Sequence, residues 1–145
     1  MSQRRSVVLL ALVCALALAT TALAAKPKAG KFEGKVAAGY GGPQMALTVK
    51  GGKVKDLLAR MFYSCNNGPQ EQTVVAPSKT YKVSASGKFS GKSTESIGGV
   101  ASETVWVSGR FTSPTRVTGK IRSQTVGGGE TCDTQERKFT LTRKR

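Results

Sequence analysis

From residue 30 onward, apolar and polar positions alternate in short runs divided by glycines. This is the period of half-buried strands, not the 3.6-residue period of a helix. The clearest unit is a hairpin. Met45, Leu47 and Val49 alternate, Gly51-Gly52 supplies a two-residue turn, and Val54 resumes the apolar face. Strict alternation would next set Asp56 opposite Leu47, inside. Leu57, Ala59, Met61, Tyr63 and Cys65 make the better inward series, so one extra residue is expected near Lys55-Asp56, a β-bulge. Asn-Gly and Gly-Pro within 66–69 then break the strand.

Further strands are expected over 72–76, 80–85, 88–91, 102–112, 116–126 and 137–142. In the 102–112 run, Val105, Val107 and Phe111 share one face, while Trp106, Ser108 and Arg110 share the other. Val117 and Ile121 oppose Lys120, Arg122 and Gln124 in the next run, and Phe139 and Leu141 point inward in the last. Gly127-Gly128-Gly129 reads as a loop leading to Cys132. The pattern predicts an all-β fold, an antiparallel sandwich or small barrel of about 8–10 short strands.

The first residues follow a different rule. Arg4 and Arg5 precede an unbroken apolar run, Val7 to Ala19, and small residues ending at Ala24 complete an A-x-A site. That order is a secretory signal peptide over 1–24, with cleavage after Ala24 or Ala25. The apolar run is shorter than the roughly 20 residues of a membrane span. Residues 25–29 are then a short linker and 30–145 a single β-domain, secreted or associated with the cell envelope.

Export changes the meaning of charge. The chain has 23 Lys and Arg against 8 Asp and Glu. Arg4 and Arg5 fall in the leader, leaving 21 against 8 and a charge of +13. Such a surface attracts polyanions, so an anionic cell-envelope polymer or lipid surface is the expected partner; nucleic acid is not. The cations are scattered, with small clusters at Lys50/Lys53/Lys55, Arg137/Lys138 and Arg143–Arg145, and no polybasic arm stands out.

Cys14 lies in the leader, so the exported chain keeps Cys65 and Cys132. An even cysteine count outside the cytoplasm favours a disulfide, and two cysteines allow one intramolecular pairing. A free thiol or a metal site is the alternative. The absence of histidine, and of a second cysteine near either position, argues against the metal.

The lack of histidine also removes the commonest general base and the Ser-His-Asp and Cys-His arrangements. The eight carboxylates are dispersed. Glu130 and Asp133 flank Cys132, but two carboxylates are a thin ligand set for calcium. Gly87–Ser93 (GKFSGKS) looks like a phosphate loop one residue short, without the strand-then-helix setting that makes one work. No catalytic residue, cofactor or metal is therefore expected. Trp106 with Arg110 is the candidate binding pair: if Val105, Val107 and Phe111 face the core, parity sends both outward. If another sheet covers that side, Trp106 becomes a second core anchor instead.

A short motif recurs as GKFEG at Gly30–Gly34, GKFSG at Gly87–Gly91 and GRFT at Gly109–Thr112. Together with Gly51–Val54, Cys65, Val107–Phe111, Gly119–Arg122 and Cys132–Thr134, these segments resemble a family of small secreted bacterial β-domains filed as hypothetical proteins. The resemblance covers nearly the whole exported chain. It implies the domain limits and a Cys65–Cys132 pairing, and carries no activity with it. Phe139 stands where that family often has tryptophan on its last strand. The functional expectation is a non-catalytic binding or structural module at the cell envelope. The alternatives are a secreted enzyme inhibitor presenting the 65–72 loop and a barrel carrying a small ligand.

Overall fold

A computed structural model describes residues 25–145; the expected leader over 1–24, with Cys14, lies outside the described residues. Ten strands follow: β1 (Gly30–Val36), β2 (Met45–Lys50), β3 (Lys53–Cys65), β4 (Gln70–Val75), β5 (Tyr81–Lys82), β6 (Lys88–Ile97), β7 (Ala101–Ser113), β8 (Arg116–Gly127), β9 (Glu130–Asp133) and β10 (Arg137–Arg143). All pairings are antiparallel.

The choice between sandwich and barrel falls to the barrel. Six strands close a ring in the order β10-β1-β2-β3-β9-β8, with β10 returning to β8. β7 and β6 extend the sheet beyond β8, and β4 and β5 flank β3. The far edge of β6 curls back toward β5: the amide of Ser84 donates to the Lys88 carbonyl at 2.8 Å, and the Tyr81 and Phe89 rings lie 6.5 Å apart.

Alternation explains what fills the interior. The buried cluster draws on every strand except β9, with Phe32, Phe89 and Phe111 at its centre. Phe32 meets Phe111 edge-on at 5.5 Å, and Phe89 meets Phe111 at 5.9 Å. Rings at these separations gain from favourable quadrupole geometry besides the area they bury. The expected bulge is present. Ala46 pairs Leu58 but Thr48 pairs Lys55, so Leu47 faces two residues, and Asp56 takes φ 49°. That slip returns Leu57, Ala59 and Met61 to the core and leaves Asp56 in solvent.

The structure extends and trims other expectations. β6 continues from residue 91 to Ile97, because Ser93 keeps the inward parity and is buried although it is polar. β5 spans only Tyr81–Lys82, with Val83 packed on the core beyond its end. The expected loop before Cys132 is a tight turn at Gly128-Gly129, both at positive φ, followed by β9.

Candidate functional site

Cys65 at the end of β3 and Cys132 in β9 are directly opposed and joined by a disulfide, 67 residues apart in sequence. The disulfide anchors β9, and β9 places Asp133. The Asp133 carboxylate accepts from Arg122 Nε at 3.1 Å to both oxygens and from Arg122 Nη2, in a two-pronged pair. Arg122 holds the Asp133 carboxyl below the usual aspartate range, and the Gln135 amide adds to this. Glu130 Oε lies within 4.8 Å of the two cysteine sulfurs. Those sulfurs are bonded to each other, so neither offers a thiolate to a metal.

Trp106 stands on the outward side of β7 and is half-buried. Its flanking cations are cross-strand neighbours: Lys92 of β6 and Arg122 of β8 share its register position and lie 5.4 and 5.3 Å from the ring centroid. Arg110 shares that face but sits four residues farther along, exposed, opposite Lys88 and Thr118. The two residues singled out by parity therefore do not touch. They line adjoining depressions.

The larger depression, about 600 Å³, crosses the outer face of β6, β7, β8 and β10. Register defines its two walls. Lys88, Arg110, Thr118 and Thr140 stand opposite one another on successive strands, and so do Ser90, Ser108, Lys120 and Lys138. Between them runs a floor of inward-pointing residues, Phe89, Gly109, Gly119 and Phe139, also in register. Gly109 and Gly119 are required there. A Cβ on Gly119 would lie 2.1 Å from the Ser108 carbonyl oxygen, and one on Gly109 would lie 2.5 Å from the Phe89 ring. A second depression of about 340 Å³ continues past Ser90, Ser108 and Lys120 to Trp106 and Arg122. Among the described residues lining the two, Glu136 is the sole carboxylate, and Lys120 Nζ holds it at 2.6 Å.

Strand direction sorts charge that is scattered in sequence. The β2–β3 turn, the β7–β8 turn and the start of β1 meet at one end of the barrel. Lys50 and Lys53 flank the first turn, and Lys82 pairs Lys53 across β5. Arg116 leaves the second turn, where the Lys28 amide donates to the Pro114 carbonyl at 2.9 Å. Arg143 Nε donates to the Ala29 carbonyl at 2.8 Å, holding the 25–29 segment against this end. Lys31 and Lys144 clasp Glu33 at 2.6 and 3.2 Å and keep its carboxyl below the usual range. The turns at the opposite end gather Glu71, Glu95, Glu103, Glu130 and Asp133.

Three carboxylates are stabilised in the charged form: Glu33 by Lys31 and Lys144, Glu95 by the Ser78 amide and hydroxyl, and Asp133 by Arg122. Carboxylates held this way are poor proton donors near neutral pH. The phosphate-loop look-alike is a turn followed by β6, without a helix. The expected 65–72 loop is shorter, since β3 runs to Cys65 and β4 begins at Gln70. It is pinned through Asn66, whose backbone amide donates to Thr131 O at 3.0 Å and whose side-chain oxygen accepts from Thr131 N at 2.8 Å. No family model, curated protein or solved structure matches this chain.

Proposed function

We propose that the protein is exported and acts as a non-catalytic binding module at the cell envelope, held to anionic polymers or lipid headgroups by the basic end of its barrel. The observation that carries this reading is the sorting of Lys28, Lys31, Lys50, Lys53, Lys82, Arg116 and Arg143 to one end while five of the eight acids gather at the other. A charge asymmetry of this kind steers and orients a molecule on an anionic surface. The disulfide suits an oxidising compartment, as the leader pattern at 1–24 does.

Cosedimentation of the folded, exported form with isolated envelope material tests the reading. Strong retention at low salt should fade as the Debye length shrinks from about 10 Å at 0.1 M toward about 3 Å at 1 M. Retention indifferent to salt, or no retention at low salt, would overturn it.

A further inference from the structure

We propose that the groove across β6, β7, β8 and β10 seats a short run of an acidic polysaccharide, a chain of hydroxylated rings bearing carboxylate, sulfate or phosphate groups. The inference rests on the anionic-ligand reading and names the ligand's chemistry. At the usual inter-strand spacing the groove runs about 14 Å from β6 to β10. A chain fits that shape, whereas a flat bilayer rests on the end of the barrel and cannot enter a trough between two rows of side chains.

The lining is mixed in a way that matches an ionised sugar. Lys88 and Arg110 at one wall, with Lys138 at the other beside the Lys120–Glu136 pair, supply cations for anionic substituents. Ser90, Ser108, Thr118 and Thr140 stand among them, offering donors and acceptors to ring hydroxyls. The floor has no outward side chain, because Phe89, Gly109, Gly119 and Phe139 all face the interior, so a ring can lie flat over it. A bare polyphosphate would use the cations and leave hydroxyls and floor unmatched. Trp106 extends the same surface past Ser108. Its Lys92 and Arg122 neighbours favour a sugar that itself carries negative charge.

The test uses polygalacturonate fragments as probe, with emission of Trp106, the chain's single tryptophan, as the local readout. Two triple variants remove equal charge from exposed positions. One is Lys88→Gln, Arg110→Gln and Lys138→Gln in the groove. The other is Lys50→Gln, Lys53→Gln and Lys82→Gln, away from it on the same end. Thermal melts confirm that both fold. The groove triple should lose about tenfold in affinity and the basic-end triple about threefold, the smaller loss being general attraction and the excess direct contacts in the groove. Equal losses would overturn the groove while leaving the basic end as the binding surface. Polyphosphate or phosphatidylglycerol vesicles that bind as tightly, with the same sensitivity to the groove triple, would overturn the choice of a sugar chain. Failure of every polyanion to bind at low salt would overturn both readings.

Discussion

Gly119→Ala is a small change with a large expected cost. Glycine at 119 pairs glycine at 109 across β8 and β7, and the φ of Gly119 lies outside the left-handed region, so alanine meets no backbone penalty there. The penalty is steric. The new Cβ would sit 2.1 Å from the Ser108 carbonyl oxygen, 2.5 Å from the Phe139 ring and 2.7 Å from the Gly109 Cα. Ordinary contact begins at 3.4 Å, so the Ser108 carbonyl must retreat by about 1.3 Å. Two of the three obstacles are backbone, so β7 and β8 must part locally. Losing two ladder hydrogen bonds costs about 2 kcal/mol. Moving the Phe139 ring adds about 1–2 kcal/mol. The reduced freedom of alanine in the unfolded chain returns about 0.4–1 kcal/mol. The net is about 3 kcal/mol, or a fall of about 10 °C in Tm for a domain of this size. Gly52→Asn is the control. Its φ of 69° suits asparagine and no heavy atom lies within 4 Å, so it should change stability by less than about 0.5 kcal/mol. Urea titrations and thermal melts of both variants decide the matter. If Gly119→Ala melts with the parent, β7 and β8 are not held as closely as described, and the groove floor has no need of glycine.

Removing the disulfide by Cys65→Ala with Cys132→Ala should cost about 4 kcal/mol on the chain-entropy model for a loop closed across 67 residues; two thiols alkylated in the unreduced exported protein would contradict the pairing. Arg122 holds the folded Asp133 carboxyl below the ordinary aspartate range, so the stabilisation is complete above that range and drains away as pH falls through the lowered folded value. Asp133→Asn should flatten this acid limb in melts taken across pH 2 to 7 (about the range where carboxylates titrate), and an unchanged limb would assign it to other groups. Trp106→Ala should cost about 1 kcal/mol, with partial acrylamide quenching of the parent indole, because the ring is half-buried on the outer face. Phe111→Ala, at 1% exposure between the Phe32 and Phe89 rings, should cost about 3–5 kcal/mol. Equal losses at the two sites would make Trp106 a core residue.

Local pattern carried the strands and the bulge. Parity alone relocated Leu57, Ala59 and Met61 to the core, because an acid at 56 cannot share the face of Leu47. The same parity sent Trp106 and Arg110 outward. It was silent on Lys92 and Arg122, which reach the indole from other strands, since cross-strand register depends on which strands are neighbours. β9 left no trace in hydropathy: Glu130–Asp133 is four residues long and no member of it is fully buried. The far half of β6 was equally mute: of Ser93, Glu95 and Ile97, which continue the inward parity, only Ser93 is buried. Barrel closure, and the sorting of charge to opposite ends, depend on pairings between β10 and β1 and between β9 and β3, contacts between residues far apart in the chain. No window of sequence holds both partners.

Those late pairings also set an order of assembly. β1 to β5 come from the first half of the domain and β6 to β10 from the second. The halves pair strand to strand along two seams, five residue pairs between β1 and β10 and two between β3 and β9, and also touch where β6 curls back toward β5. β10 is wedged between β1 and β8, so both flanking strands keep a bare edge until it arrives. β10 is also the last strand in chain order, so it is made after all the others. Until then the first half waits as an open sheet with unpaired backbone donors, the state most prone to pairing with a stranger. The ring cannot close without the seven residues of β10, which work as a keystone whose absence leaves an arch rather than a cylinder.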